Sequence, residues 1–116
     1  MKKRDLKRQP SVEKFLEKEI ETLVGNALGQ CPTDVSCVFI SSSDLVVLVD
    51  NVKTPLEDFL TLHCQPAVLQ NYRRGLKVAI GKKVQKLVET TIEQPIGQIS
   101  MSRQTETRWM GIFSLV

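Results

Sequence analysis

A chain of 116 residues, 41% hydrophobic and 25% charged, is expected to form one globular domain that buries roughly two-thirds of its unfolded surface. Its net charge of +3 excludes a molecule that seeks polyanions through its overall field. No apolar run reaches the ~18–20 residues of a bilayer span, and the basic start is not followed by the apolar core of a secretory signal.

Residues 1–10, with Lys2, Lys3, Arg4, Lys7 and Arg8, read as a flexible basic arm, and 11–116 as a single domain. Ser11 is placed to cap the first helix, with Glu13 in its first turn facing the positive helix end. Phe15, Leu16, Ile20, Leu23, Val24, Ala27 and Leu28 recur at helical spacing, and Gly29 is a natural stop. The turn Cys31-Pro32-Thr33-Asp34 leads to two runs rich in β-branched residues, VSCVFI (35–40) and LVVLVD (45–50), joined by Ser41–Asp44.

Thr54-Pro55-Leu56-Glu57 then predicts a short helix over 55–63. Proline suits the first helical position, and the Thr54 and Glu57 side chains can each bond the other's backbone N–H. Pro66 opens a long helix to about residue 92, with Leu69, Tyr72, Leu76, Ile80, Val84, Leu87 and Thr91 along one stripe. Pro95 and Gly97 break it. Two more strands, IGQISMS (96–102) and TRWMGIFSLV (107–116), finish the chain around a turn near Arg103–Glu106.

The order α-β-β-α-α-β-β predicts an α+β fold, a four-stranded antiparallel sheet with helices packed on one face. A sheet covered on one side should alternate apolar and polar residues, as Ile99 and Met101 do against Gln98, Ser100 and Ser102. The other strands are apolar on both faces: Val35, Cys37 and Phe39 oppose Val38 and Ile40, and Leu45, Val47 and Val49 oppose Val46 and Leu48. In the last strand Trp109, Phe113 and Leu115 oppose Met110 and Ile112. A second copy of the chain is expected to bury the face the helices leave open, giving a homodimer or higher oligomer; the alternative is that the long helices wrap more of the sheet.

The segment YRRGLKVAIGKKVQK (72–86) holds six cations and no acid. On a helical wheel Arg73, Arg74 and Lys77 share one flank, Lys82 and Lys86 the other, and Lys83 encroaches on the apolar stripe. Charges so divided do not make a groove-reading helix, and Tyr72 alone supplies no series of stacking platforms. The six read first as the solvated flanks of a packing helix, and otherwise as candidate partner-binding residues toward nucleic acid, lipid headgroups or an acidic protein patch. Gly75 and Gly81 suggest close approach of another backbone to this helix, or tolerance inherited from tertiary packing.

GLKVAIGKK is not a phosphate loop: its glycines are one residue too far apart, no Ser or Thr follows the lysine, and it lies within a helix. His63, Cys64, Cys31 and Cys37 match no zinc spacing. Cys37 reads as a core residue, and His63 as the end of the short helix. Helix capping and the helix dipole account for Glu57 and Asp58. No catalytic constellation or cofactor motif is found, and three cysteines without close-pair spacing fit reduced thiols in the cytoplasm.

Taken together, LGQCPTDV, DLVVLVDNVKTPLEDFL, YRRGLKVAIGKKVQKLVETTIEQPIGQI and IFSLV resemble the MpsC-like family, from about Ser11 to Val116. The resemblance is carried by the G-x-x-P turn, the T-P-x-E helix start, Arg73 or Arg74, and the apolar final strand. Cys31 stands where the family is expected to have Gly. Such a resemblance implies a soluble, non-enzymatic accessory or regulatory module of a membrane cation-transport, membrane-potential-generating system. Its implied partners are membrane ion-transport subunits that move cations or support inorganic-carbon uptake. The residues themselves point to the cytoplasm, with the basic arm able to add transient attraction to an anionic membrane surface. A second reading is a nucleic-acid-associated module using the basic arm and the basic long helix. A third is an enzyme or small-ligand sensor with a pocket between sheet and helices.

Overall fold

In the computed structural model, residues 10–29, 34–52, 54–105 and 107–116 are described. The basic arm before Pro10, Cys31 and most of the turn around it lie outside them. The described elements are α1 (Pro10–Leu28), β1 (Val35–Phe39), β2 (Asp44–Asp50), α2 (Pro55–His63), α3 (Pro66–Ile92), β3 (Ile96–Arg103) and β4 (Arg108–Leu115). The strands form one antiparallel sheet in the order β1-β2-β4-β3. This is the α+β architecture expected from the sequence, with the helices on one face.

Helix α1 starts at Pro10 rather than after Ser11. Proline lacks the N–H that the first helical position would leave unbonded, so it starts the helix well, and Ser11 falls inside the first turn. The buried stripe is narrower than the apolar residues suggest. Leu16, Ile20, Val24 and Leu28 face the core at four-residue spacing, whereas Phe15 is 50% exposed and Ala27 is exposed. Gly29 ends the helix with a left-handed φ of 75° and donates its N–H to the Gly25 carbonyl at 2.9 Å.

The core lies between this stripe, the C-terminal half of α3 and one face of the sheet, where Cys37, Leu45, Val47, Val49, Trp109 and Phe113 are buried. In α3 the buried residues are Ile80, Gly81, Val84, Val88 and Ile92. Toward its C-terminus the stripe therefore runs through Val88 and Ile92 rather than Leu87 and Thr91. A strict four-residue step follows the i±4 row, whose side chains meet the same partner along the helix. Gly81 does allow a close approach, but by a side chain: an added Cβ would sit 2.7 Å from Met101 Sδ on β3. No atom approaches within 4 Å of the same position at Gly75.

The edge strand β1 is guarded by α1. Glu17 accepts from the backbone N–H of Cys37 at 2.9 Å, and Glu13, one turn earlier, accepts from that of Phe39 at 2.8 Å. Two donors that would invite a fifth strand are thereby occupied. Burial, and then the charges of Glu17 and Glu13, push the Cys37 thiol up to about 12, so this cysteine is a core side chain and not a thiolate nucleophile.

Candidate functional site

The Thr54–Glu57 segment folds as half of the expected capping box. Thr54, 3% exposed, accepts from the Glu57 backbone N–H at 3.2 Å, and its hydroxyl meets the Tyr72 hydroxyl at 3.0 Å. The Glu57 carboxylate does not return to Thr54. It is fully buried and accepts from Arg73 Nε on α3 at 2.6 Å and from Arg103 Nη2 at the end of β3 at 3.1 Å. Burial alone would raise the Glu57 carboxyl, but the hydrogen bonds and charges of Arg73 and Arg103 outweigh it and hold the group below its ordinary value. A residue read from sequence as a helix cap is in fact the anion that ties α2, α3 and β3 together.

Beside this triad is a cavity of about 250 Å³ lined by Gln70, Arg73, Arg74, Lys77, Arg103 and Trp109. Gln70, Arg73, Arg74 and Lys77 follow helical i, i+3, i+4, i+7 spacing and so form one ridge of α3. Arg103 pairs in register with Trp109, which places both on the helix-facing side of the sheet. Among the described residues, no carboxylate is ion-paired with Arg74 or Lys77.

The six cations of α3 therefore separate. Arg73, Arg74 and Lys77 meet at this cavity, while Lys83 and Lys86 remain on exposed helix surface outside it. Lys82 borders another depression, of about 290 Å³, with Lys77, Val78, Gly81, Gln85, Ile99 and Met101. Arg103 was missed as a site residue. Its signal was the alternation of β3: continuing Ile99 and Met101 by two residues puts position 103 on the inward face.

Helix α2 carries a second feature, an inverted amphipathic pattern. Its inward residue is the charged Glu57, whereas Leu56, Phe59 and Leu62 are 49, 55 and 78% exposed, and Val68 at the start of α3 is 45% exposed. The pattern was readable, since three large apolar residues recur every third position, but only the burial of Glu57 shows which side faces out. His63 ends this helix and packs on Phe59, with ring centroids 4.8 Å apart. Cys64 caps it by donating its backbone N–H to the Leu60 carbonyl at 3.0 Å. No group of three or more His, Cys, Asp or Glu side chains that could hold a metal ion occurs among the described residues.

The far face of the sheet is also open. Val38, Val46 and Ile112 lie side by side across three strands, as do Leu48 and Met110 across two. Val38 is 50% and Ile40 63% exposed. At the rim of this face Arg108 grips Asp50 on the neighbouring strand through two hydrogen bonds, 2.6 and 3.0 Å.

Residues 8–115 match the family described as the Na+-translocating membrane potential-generating system (MpsC). The chain belongs to the MpsC family. That assignment covers every described element and connects the domain with a sodium-translocating system. No curated protein and no solved structure gives a significant match. No helix among the described residues of this MpsC domain is long and apolar enough to cross a membrane.

Proposed function

We propose that this MpsC protein is a non-enzymatic accessory or regulatory module of its membrane-potential-generating system, held against an ion-transport subunit at the cytoplasmic face of the membrane. The observation that carries the reading is the inverted helix α2. A helix that turns Glu57 inward and Leu56, Phe59 and Leu62 outward exposes apolar surface that folding of the single chain does not use. A component with no spanning helix among its described residues needs such a surface to reach a partner embedded in the bilayer. The exposed cations Lys82, Lys83 and Lys86 add attraction toward an acidic protein rim or anionic lipid. We further propose that a second copy covers the open face of the sheet.

The test is a mild-detergent pull-down of the tagged chain from its native cells, with and without nuclease. A multi-span cation-transport subunit should co-purify under both conditions. Replacing Phe59→Asp together with Leu62→Asp should remove it while changing stability by no more than about 0.5 kcal/mol per exposed site. Recovery dominated by nucleic acid, or full retention of the subunit by the double variant, would overturn the assignment.

A further inference from the structure

The cavity between α3 and the end of β3 has a composition that the accessory role does not require. Four cationic side chains, Arg73, Arg74, Lys77 and Arg103, line it together with Gln70 and Trp109. One carboxylate, Glu57, is bonded to two of the four. Arg74 and Lys77 have no carboxylate partner among the described residues, so the lining carries a local excess of positive charge around about 250 Å³.

Holding like charges together is unfavourable, and a surface cluster without a ligand usually spreads into water. Here two of the guanidiniums cannot spread. Arg73 and Arg103 keep only 25% and 18% of their side-chain surface exposed, and the buried Glu57 fixes both. Trp109, 3% exposed, gives the cavity a stiff apolar wall that lowers the local dielectric and strengthens attraction for an anion. Among the described residues Arg73 is bound through Nε alone, and Arg74 and Lys77 make no ion pair.

We infer that this cavity is a binding site for a small, multiply charged oxyanion of the phosphate class. Guanidinium groups match tetrahedral and planar oxyanions through paired N–H donors, and Lys77 contributes a point charge. Arg74 and Lys77, without an ion pair among the described residues, favour a dianion over a monocarboxylate. A phosphate, pyrophosphate or compact phosphomonoester suits a space of about 250 Å³. Gln70 supplies an amide whose Nε2–H can donate to an oxyanion oxygen. The site shares Arg73, Arg74 and Lys77 with the cationic surface but does not depend on any transport subunit, so it is testable on the isolated chain.

Inorganic phosphate and pyrophosphate are titrated into the full chain by calorimetry, with ionic strength held constant by chloride. One saturable site is expected. Arg74→Gln with Lys77→Gln should weaken it at least tenfold. Lys82→Gln with Lys86→Gln removes the same charge outside the cavity and should leave affinity within twofold. Circular dichroism of both double variants confirms that they remain folded. A parallel arm measures sedimentation with vesicles of phosphatidylcholine, with or without phosphatidic acid. Saturation by the free ions identifies a soluble ligand. Binding only to phosphatidic acid vesicles, lost on changing Arg74 and Lys77, identifies a lipid headgroup. Either supports the site, whereas no binding in both arms, or equal loss from both double variants, overturns it.

Discussion

Glu57 shows how one side chain can be legible in identity and illegible in role. Its position three residues after Thr54 identifies a helix start from local sequence alone, and the helix does start there. Its carboxylate answers to Arg73, 16 residues away, and Arg103, 46 residues away, neither of which a local rule can supply. Because the group is fully buried, removing its charge leaves two guanidiniums facing a neutral amide. Glu57→Gln should destabilise the fold by about 3 kcal/mol, near the lower end for breaking a buried pair, since both arginines retain access to water. The sign with pH follows from the lowered folded-state value. Stability from this carboxylate is complete above the unfolded-state range near ~4.3 and is lost as pH falls through the lower folded value. Urea midpoints measured from neutral pH downward should therefore converge for wild type and Glu57→Gln in acid. A constant gap between them across the whole range would show that the charge is not the source of the difference.

Among elements, α2, α3 and the sheet pattern were the most legible and the packing around them the least. Pro55 and Pro66 mark helix starts with residues that must sit there, and the observed bounds of α2 and α3 follow those prolines. Which side of α2 faces inward depends on Arg73 and Arg103, and local periodicity does not contain that information. The guarding of β1 by Glu13 and Glu17 was hidden for the same reason: Glu13 in the first turn already satisfies the helix dipole, and Glu17 one turn on carries no local signal of a strand donor beyond it. The two α3 glycines, alike in sequence, separate cleanly in space. At Gly75 an added methyl meets nothing within 4 Å, so Gly75→Ala should stabilise by about 0.5–1 kcal/mol through helix propensity and a less disordered unfolded chain. At Gly81 the same methyl falls 2.7 Å from Met101 Sδ, so the propensity gain is offset by displacing a half-buried thioether. Thermal melts should show Gly75→Ala a few degrees above wild type and Gly81→Ala at or below it. Truncating Met101→Ala in the Gly81→Ala background should cost less than the same truncation in wild type. Equal gains from both alanines would mean that the α3–β3 approach is looser than the structure shows.

For the whole molecule the unresolved demand is the open face of the sheet. The helices cover Cys37, Val47 and Phe113, and leave Val38, Val46, Leu48, Met110 and Ile112 half-buried or exposed on the other side. Because β1 is guarded along its edge, a second copy is better placed to stack face to face than to extend the sheet from that strand. Four strands spaced about 4.8 Å apart and roughly seven residues long present a face of about 450 Å². Two such faces bury little more than half of the ~1,600 Å² typical of a stable complex. The proposed homodimer is therefore a weak one, held by the apolar centre with Asp50–Arg108 pairs at its rim. Sedimentation equilibrium should show dimer at a few hundred micromolar and dissociation on dilution toward the low micromolar range. Leu48→Lys should abolish the dimer, because it would set two desolvated ammonium groups near each other across the two-fold axis, while remaining tolerable in the monomer where Leu48 is only half-buried. Phe59→Asp, on α2 and away from the sheet, should leave the dimer intact. A monomer at every concentration would assign the open face to the transport partner instead, and loss of the dimer with Phe59→Asp would move the self-contact to α2.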